Sequence, residues 1–200
     1  MSDKQITDHL VKDTILKPIV ERTILPQLVL KENLFKELIE SIIYQQLSIK
    51  VAAIIASRFY VLLKTDNPSP QEVLNTTVEE KRAVGLSYSK ANYIDNIALF
   101  WIENSLHEVD WVSKSDEEIV HLLTKIKGVG KWTAEMVLMF SLCRPDVFPH
   151  DDLGIKTKMV ELYELGSTGK QLIKEMTDIA ENWRPYRSTA CRYLWKFKDQ

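Results

Sequence analysis

Two short stretches hold the residue types and spacings with the most chemical content. Ile126-Lys127-Gly128-Val129-Gly130-Lys131-Trp132-Thr133-Ala134 is a tight glycine turn between two helical patterns. Phe148-Pro149-His150-Asp151-Asp152-Leu153-Gly154-Ile155-Lys156 places two carboxylates at the start of another helix. Gly128 and Gly130 permit positive φ and let a backbone approach closely. The amides that follow point outward at a helix N-terminus, where they can bind a phosphate without any side chain and so without reading base sequence. Val129 is expected to anchor the turn in the core, and Lys125, Lys127 and Lys131 surround it with positive charge. Together the stretches imply a backbone grip on a nucleic-acid strand with an acidic side chain beside it. Read singly, each has a plainer meaning: a helix–turn–helix connection, and a pair of helix N-caps. His150 with the two Asp residues is not expected to hold a metal, since three adjacent residues rarely converge on one ion.

The elements that must position these groups read as helices throughout. Leu34, Leu38, Ile39 and Ile42 recur with the 3.6-residue period. Ser48 caps a predicted helix with a buried stripe of Val51, Ala52, Ile55, Phe59 and Leu62. Ser69 with Glu72, Thr77 with Glu80, and Ser115 with Glu118 have capping-box spacing, and Pro70 stands at a first helical position. Gly85-Leu86-Ser87 ends one helix, and Ser87 or Ser89 opens the next through Ile94, Ile97, Ala98 and Trp101. A helix behind Ser115 stops at Gly128, and another starts near Lys131. Further helices are predicted from about Asp152 to Leu165, from Thr168 (capped with Gln171) to Asn182, and from about Pro185 to Phe197. No period-two strand is evident. The expectation is an all-α chain forming one domain of two lobes over 1–200. One lobe spans about 48–126; the other joins the N-terminal segment to about 127–200.

Composition narrows the class. The 200 residues are 45% hydrophobic and carry a net charge of −2, which argues against bulk electrostatic binding of nucleic acid. The distribution softens that: Arg184, Arg187, Arg192, Lys196 and Lys198 face only Glu181 and Asp199 in the last twenty residues. A local basic face on a near-neutral protein suits contact with a few phosphates. No apolar run reaches the ~18 residues that span a bilayer, and Met1-Ser2-Asp3-Lys4-Gln5 has no signal-peptide core. An intracellular protein is expected, cytoplasmic in a bacterium and nuclear in a eukaryote, with no membrane partner. Cys143 and Cys191 read as reduced residues in apolar helices. Two cysteines cannot hold a four-cysteine iron–sulfur cluster, and no zinc-ligand spacing is present.

Five pieces in order carry a resemblance: Ile43-Tyr44-Gln45-Gln46-Leu47-Ser48, Ala83-Val84-Gly85-Leu86-Ser87 with Lys90, the glycine hairpin, Asp151-Asp152-Leu153-Gly154-Ile155-Lys156, and Trp183-Arg184-Pro185-Tyr186-Arg187-Ser188. The chain resembles the helix-hairpin-helix DNA glycosylases, whose superfamily is named for that hairpin plus a Gly/Pro-rich loop and an Asp. Among their branches it is most similar to alkylbase glycosylases of the DNA-3-methyladenine glycosylase II type. The match runs from about Val11 to Phe197 and lacks the extra N-terminal β-domain of the larger members. It implies a two-lobed helical fold with the active site in a cleft between lobes.

What the resemblance implies residue by residue follows the chemistry. The catalytic carboxylate falls on Asp152, with Asp151 as a neighbour that caps a helix or fixes the loop. Breaking an N-glycosidic bond leaves positive charge on the sugar, which a carboxylate near C1′ stabilises, or it orients water for attack. An alkylated base already carries positive charge and leaves without an acid. The base must first leave the stack; Gln46, with Leu47 second, lies where the family places its gap-filling wedge. Trp132 and Trp195 match pocket positions that stack on a cationic purine, with Tyr44 and Met136 completing the wall. Met136 stands where other members carry Tyr, which leaves the substrate range open. Gly128, Val129, Gly130, Lys131 and Thr133 form the DNA grip. The strand-cutting members place a Schiff-base lysine one residue beyond Lys131, and here that residue is Trp132. One helical step turns a side chain by ~100°, so a monofunctional enzyme using water is expected.

The implied activity is hydrolytic removal of 3-methyladenine and 7-methylguanine from double-stranded DNA in base excision repair, by a monomer needing no cofactor. The resemblance allows a structural monovalent cation at the hairpin carbonyls. Rival readings are a non-catalytic damaged-DNA binder of the same fold, and a glycosylase or lyase for other lesions.

Overall fold

The computed structural model describes residues 3–197; Lys198 and Asp199 of the basic stretch lie outside the described residues. In chain order the helices are α1 (Asp3–Leu10), α2 (Lys17–Arg22), α3 (Leu34–Tyr44), α4 (Ile49–Leu63), α5 (Pro70–Leu74), α6 (Val78–Ala83), α7 (Tyr88–Glu103), α8 (Asp116–Leu123), α9 (Lys131–Met136), α10 (Leu153–Leu162), α11 (Gly169–Glu181) and α12 (Arg187–Phe197). A 3₁₀ turn, Leu106–Glu108, follows α7, and α9 runs on into a π-helical turn, Val137–Ser141. There is no strand among the described residues, and no helix among them is long and apolar enough to cross a membrane. The first two helices have no counterpart in the sequence reading, which begins its helices at Leu34.

The caps explain where most helices begin. Ser48, Ser87 and Asp152 each accept a bond from the backbone amide three residues on. All three capping boxes are closed, with the Glu side chain of each bonded back to the cap residue's amide. Those reciprocal bonds hold the carboxyls of Glu72, Glu80 and Glu118 below their ordinary range. Thr168 stands at the N-cap of α11 without a side-chain cap bond, and Gln171 donates to Glu175 instead (3.0 Å). In α4 the buried stripe is Ala52, Ile55, Ala56, Phe59, Tyr60 and Leu63. Ala52, Ile55 and Phe59 are buried as predicted, whereas Val51 is exposed and Leu62 only half-buried; Ala56, Tyr60 and Leu63 complete the stripe in their place.

Two compact units result, Leu30–Leu142 and Met1–Val29 with Cys143–Gln200. The middle unit is wider at both ends than 48–126. Helix α3 belongs to it because Leu34, Phe35, Leu38, Ile39, Ile42 and Ile43 bury against α4 and α7. The hairpin belongs to it as well, and not with the C-terminal helices, because α9 packs on α3 and α8. Lys81 is wholly buried here, its ammonium on the Thr76 carbonyl (2.6 Å) and paired with Asp95 (2.7 Å), as a buried charge must be.

The other unit is stitched from both ends of the chain. Its core contains Leu10, Leu16 and Ile19 from the start, and Ile155, Met159, Met176, Trp183, Cys191 and Leu194 from the end. Asp13 joins them: Oδ1 accepts from the amides of Ile15 and Leu16 (2.9 and 3.0 Å), and Oδ2 from the Tyr163 hydroxyl (2.7 Å) and Trp183 indole (2.8 Å). Burial, and then this carboxylate, push the Tyr163 phenol well above its ordinary range.

Ser115→Ala removes the hydroxyl of the α8 box and should cost ~1 kcal/mol in urea unfolding at neutral pH. Because the three box carboxyls titrate lower when folded, their stabilisation is complete above the unfolded glutamate value of ~4.3. It is lost as pH falls through the folded values. Urea midpoints from pH 6 to 2 should therefore decline on the acid side, and Glu118→Gln should flatten part of that decline.

Candidate functional site

In the middle unit, one face of α7 carries the supports for two exposed turns. Tyr93 lies under Gly128, whose φ is +107°, and a Cβ added there would come within 2.3 Å of the tyrosine ring. Asn96 donates to the Lys127 carbonyl (3.1 Å), and Val129 is buried beneath the loop. Gly128 is thus glycine for two internal reasons, backbone sign and space. Gly130 differs from the expectation. As N-cap of α9 it has φ −87° and ψ 173°, an extended conformation open to any residue, and among the described residues, its chain neighbours aside, no atom would meet its Cβ within 4 Å.

Beyond Gly130, Lys131 is exposed and sits 3.5 Å from Glu135 one turn on, and Glu135 itself is buried. Trp132 is 38% exposed, unusually open for a tryptophan. Met136 is half-buried. Thr133 is corrected as a surface residue: it is only 2% exposed, and its hydroxyl accepts from the Gln45 side-chain amide (3.1 Å). That bond ties the hairpin helix to the second turn, Tyr44-Gln45-Gln46-Leu47.

This second turn leaves α3 with Tyr44, Gln46 and Leu47 exposed. Gln46 has φ +58°, a left-handed conformation that costs a non-glycine residue ~1–2 kcal/mol and must be held from outside. Lys90, at the start of α7, supplies the hold: its ammonium donates to the carbonyls of Ile43 (2.8 Å) and Gln45 (2.7 Å). Burial pushes the Lys90 ammonium below its ordinary value. Neither Gln45 nor Lys90 was assigned a role from sequence. A signal existed for Lys90: it lies on the stripe of Ile94, Ile97 and Trp101, where a cation on an apolar face calls for an acceptor.

In the split unit, the acidic turn resolves into unequal partners. Asp151 is exposed and sits 3.2 Å from His150. Asp152 is half-buried and is the N-cap of α10. Its Oδ1 accepts from the Ile155 amide (2.9 Å) and from the indole N–H of Trp195 on α12 (2.9 Å). Gly154, in the first turn of α10, leaves room for this: an added Cβ would lie 3.1 Å from both Asp152 Oδ1 and Trp195 Cδ1. The sequence placed Trp195 in a base pocket but gave no sign of its bond to the carboxylate, which needs α10 and α12 packed together. Among the described residues no three side chains gather as a metal site. Arg187, which the sequence counted toward a basic face, is instead bidentate to Asp146; Arg184 also pairs with Asp146 and Glu181.

Comparison with known proteins bears on this arrangement. Residues 39–185 match the model of the HhH-GPD superfamily base excision DNA repair protein family. A DNA-3-methyladenine glycosylase 1 of Schizosaccharomyces pombe is 36% identical over 169 residues, 83% of this chain and 73% of the relative. Among solved structures, a DNA-3-methyladenine glycosidase from Bacillus halodurans superposes with a TM-score of 0.79 at 33% identity, covering 98% of this chain and 88% of that one. The Schizosaccharomyces pombe 3-methyladenine DNA glycosylase in complex with abasic DNA gives 0.83 at 31% identity, covering 98% and 97%.

Three glycine substitutions separate the geometry. Gly128→Ala should destabilise the fold by ~2 kcal/mol or more, from the positive φ and the tyrosine clash, whereas Gly130→Ala should stay within ~0.5 kcal/mol. Gly154→Ala should shift the Trp195 indole N–H resonance in a nitrogen–proton NMR spectrum while the protein stays folded.

Proposed function

This chain belongs to the HhH-GPD superfamily of base excision DNA repair proteins, and on that footing we propose that it is a monofunctional DNA glycosylase of the 3-methyladenine type. It hydrolyses the N-glycosidic bond of alkylated purines, 3-methyladenine and 7-methylguanine, in double-stranded DNA. The observation that carries the reading is the Asp152 carboxylate, aimed by a helix-start amide and the Trp195 indole through one oxygen. A carboxylate held in one orientation suits a reaction whose transition state develops positive charge at the sugar's anomeric carbon. A preset partner then stabilises the departing state without reorganising.

The rest of the machinery follows from this. The Gly130 amide region and Lys131 hold a phosphate. Gly130 supports that role because no contact among the described residues asks for a glycine there, whereas a strand backbone lying against it would. Gln46 and Leu47 fill the gap left by the extruded base. The half-exposed indole of Trp132 suits stacking on a cationic purine, with Tyr44 and Met136 of the same unit as further contacts; Trp195 serves through its bond to Asp152. Trp132 in place of a lysine leaves no amine to form a Schiff base, so water completes the cleavage and the strand stays intact. A monovalent cation at the hairpin carbonyls would be structural, and the working form is a monomer inside the cell.

The test is release of free methylpurines from methylated duplex DNA, separated by chromatography. Asp152→Asn should lower excision by ~10²-fold or more while duplex affinity stays within a few-fold; full activity in that variant would remove the assignment. Gly130→Ala should weaken duplex binding without loss of stability. Borohydride should trap no covalent DNA complex.

A further inference from the structure

We infer that Lys90 is a positioning residue for base extrusion: by holding two carbonyls beneath the Tyr44–Leu47 turn, it fixes the path on which Gln46 is presented to DNA. The inference rests on the glycosylase reading and extends it to a residue outside the acidic turn and the hairpin.

Where α3 ends, the amides of Gln45 and Leu47 serve the carbonyls of Ile42 and Tyr44 (3.4 Å each), and α3 has no basic residue in its last turn, so the carbonyls of Ile43 and Gln45 take a donor from another helix. Lys90 brings one ammonium to the carbonyls of Ile43 and Gln45 together, at 2.8 and 2.7 Å. Those carbonyls bracket Tyr44, and the second belongs to the residue just before Gln46. The Gln45 side chain is meanwhile held from α9 by the buried Thr133 hydroxyl. The chain therefore enters position 46 from a residue fixed through both backbone and side chain. Gln46 follows in the left-handed conformation, and its side chain and that of Leu47 are exposed. This is an exposed tip on a pinned base. A side chain that replaces an extruded nucleotide must hold its place against re-stacking of the base, and it can do so only if its own backbone does not yield. An ammonium suits the task, being a compact charge with three donors that can serve two carbonyls at once. Lys90 is assigned no contact with DNA.

Base release should be compared on a duplex and on the same strand unannealed, where no partner strand or full stack has to be broken. The lesion is 7-methylguanine. A neighbouring 2-aminopurine reports unstacking by its fluorescence. Lys90→Met should lower the duplex-to-single-strand ratio of excision rates by tenfold or more and dim the unstacking signal, with single-strand release little changed. Gln46→Ala should act in the same direction. Lys90→Met added to Gln46→Ala should lower the ratio no further, because the lysine acts through that residue. A merely structural lysine would instead reduce both substrates alike, or add to Gln46→Ala in full; either result, or an unchanged ratio, overturns the inference. If Lys90→Met does not fold by thermal melting, Thr133→Val decides. It removes the other anchor of the turn and should also lower the ratio; an unchanged ratio there counts against the inference. If the wild-type protein releases no base from either substrate, the glycosylase reading fails, and the 2-aminopurine signal alone decides whether Lys90 and Gln46 act together on unstacking.

Discussion

One carboxylate oxygen organises the acidic turn. Asp152 Oδ1 takes the amide of Ile155 and the indole of Trp195, so the same atom starts α10 and fastens it to α12. Gly154 keeps the space between them clear. Capping and orientation are usually weighed as alternatives for an aspartate at a helix start. Here they are one arrangement: the cap fixes the backbone of residue 152, and the indole fixes the side chain's rotation about it. A loose carboxylate would have to be ordered by whatever it meets; this one is ordered by folding.

The middle unit reaches the same end with backbone and cations. Lys90, Tyr93 and Asn96 recur along α7 at near-helical spacing, and each supports a different piece of main chain: the turn after α3, Gly128, and the Lys127 carbonyl. Both exposed turns are thereby indexed to a single sixteen-residue helix. A displacement of α7 would move them together, so their spacing within this unit is conserved better than either position alone.

The legible parts of the chain were those governed by local rules. Ser69, Thr77 and Ser115 announce their helices because a capping box is complete within four residues. The hairpin could be found because two glycines interrupt a strong apolar period, and the acidic turn because Asp152 stands three residues before the amide it caps. What escaped depends on partners distant in sequence. On α4, spacing places Ala52, Ile55 and Phe59 in the core; that Ala56, Tyr60 and Leu63 join them instead of Val51 and Leu62 depends on α3, a neighbour that spacing alone does not reveal. The reach of the middle unit was underestimated for the same cause. The two hairpin glycines looked equivalent, yet only Gly128 uses positive φ; the difference lies in Tyr93, thirty-five residues earlier. Thr133 looked like a contact residue from its place after the hairpin, but α9 turns it inward to Gln45. The bond from Trp195 to Asp152 spans forty-three residues and leaves no local trace.

Asp13 carries a consequence for how the molecule is made. Its carboxylate is completed by Tyr163 and Trp183, so residues 3–29 have no finished core until the chain has been made past Trp183. Residues 30–142, by contrast, form their unit from one continuous stretch. Synthesis runs from the N-terminus, so residues 3–29 are made before the other half of their unit and are secured only after it. Until then Leu10, Leu16, Ile19 and Val20, all buried in the folded unit, lack the partners that cover them, and a chaperone that shields this stretch would guard the chain over that interval.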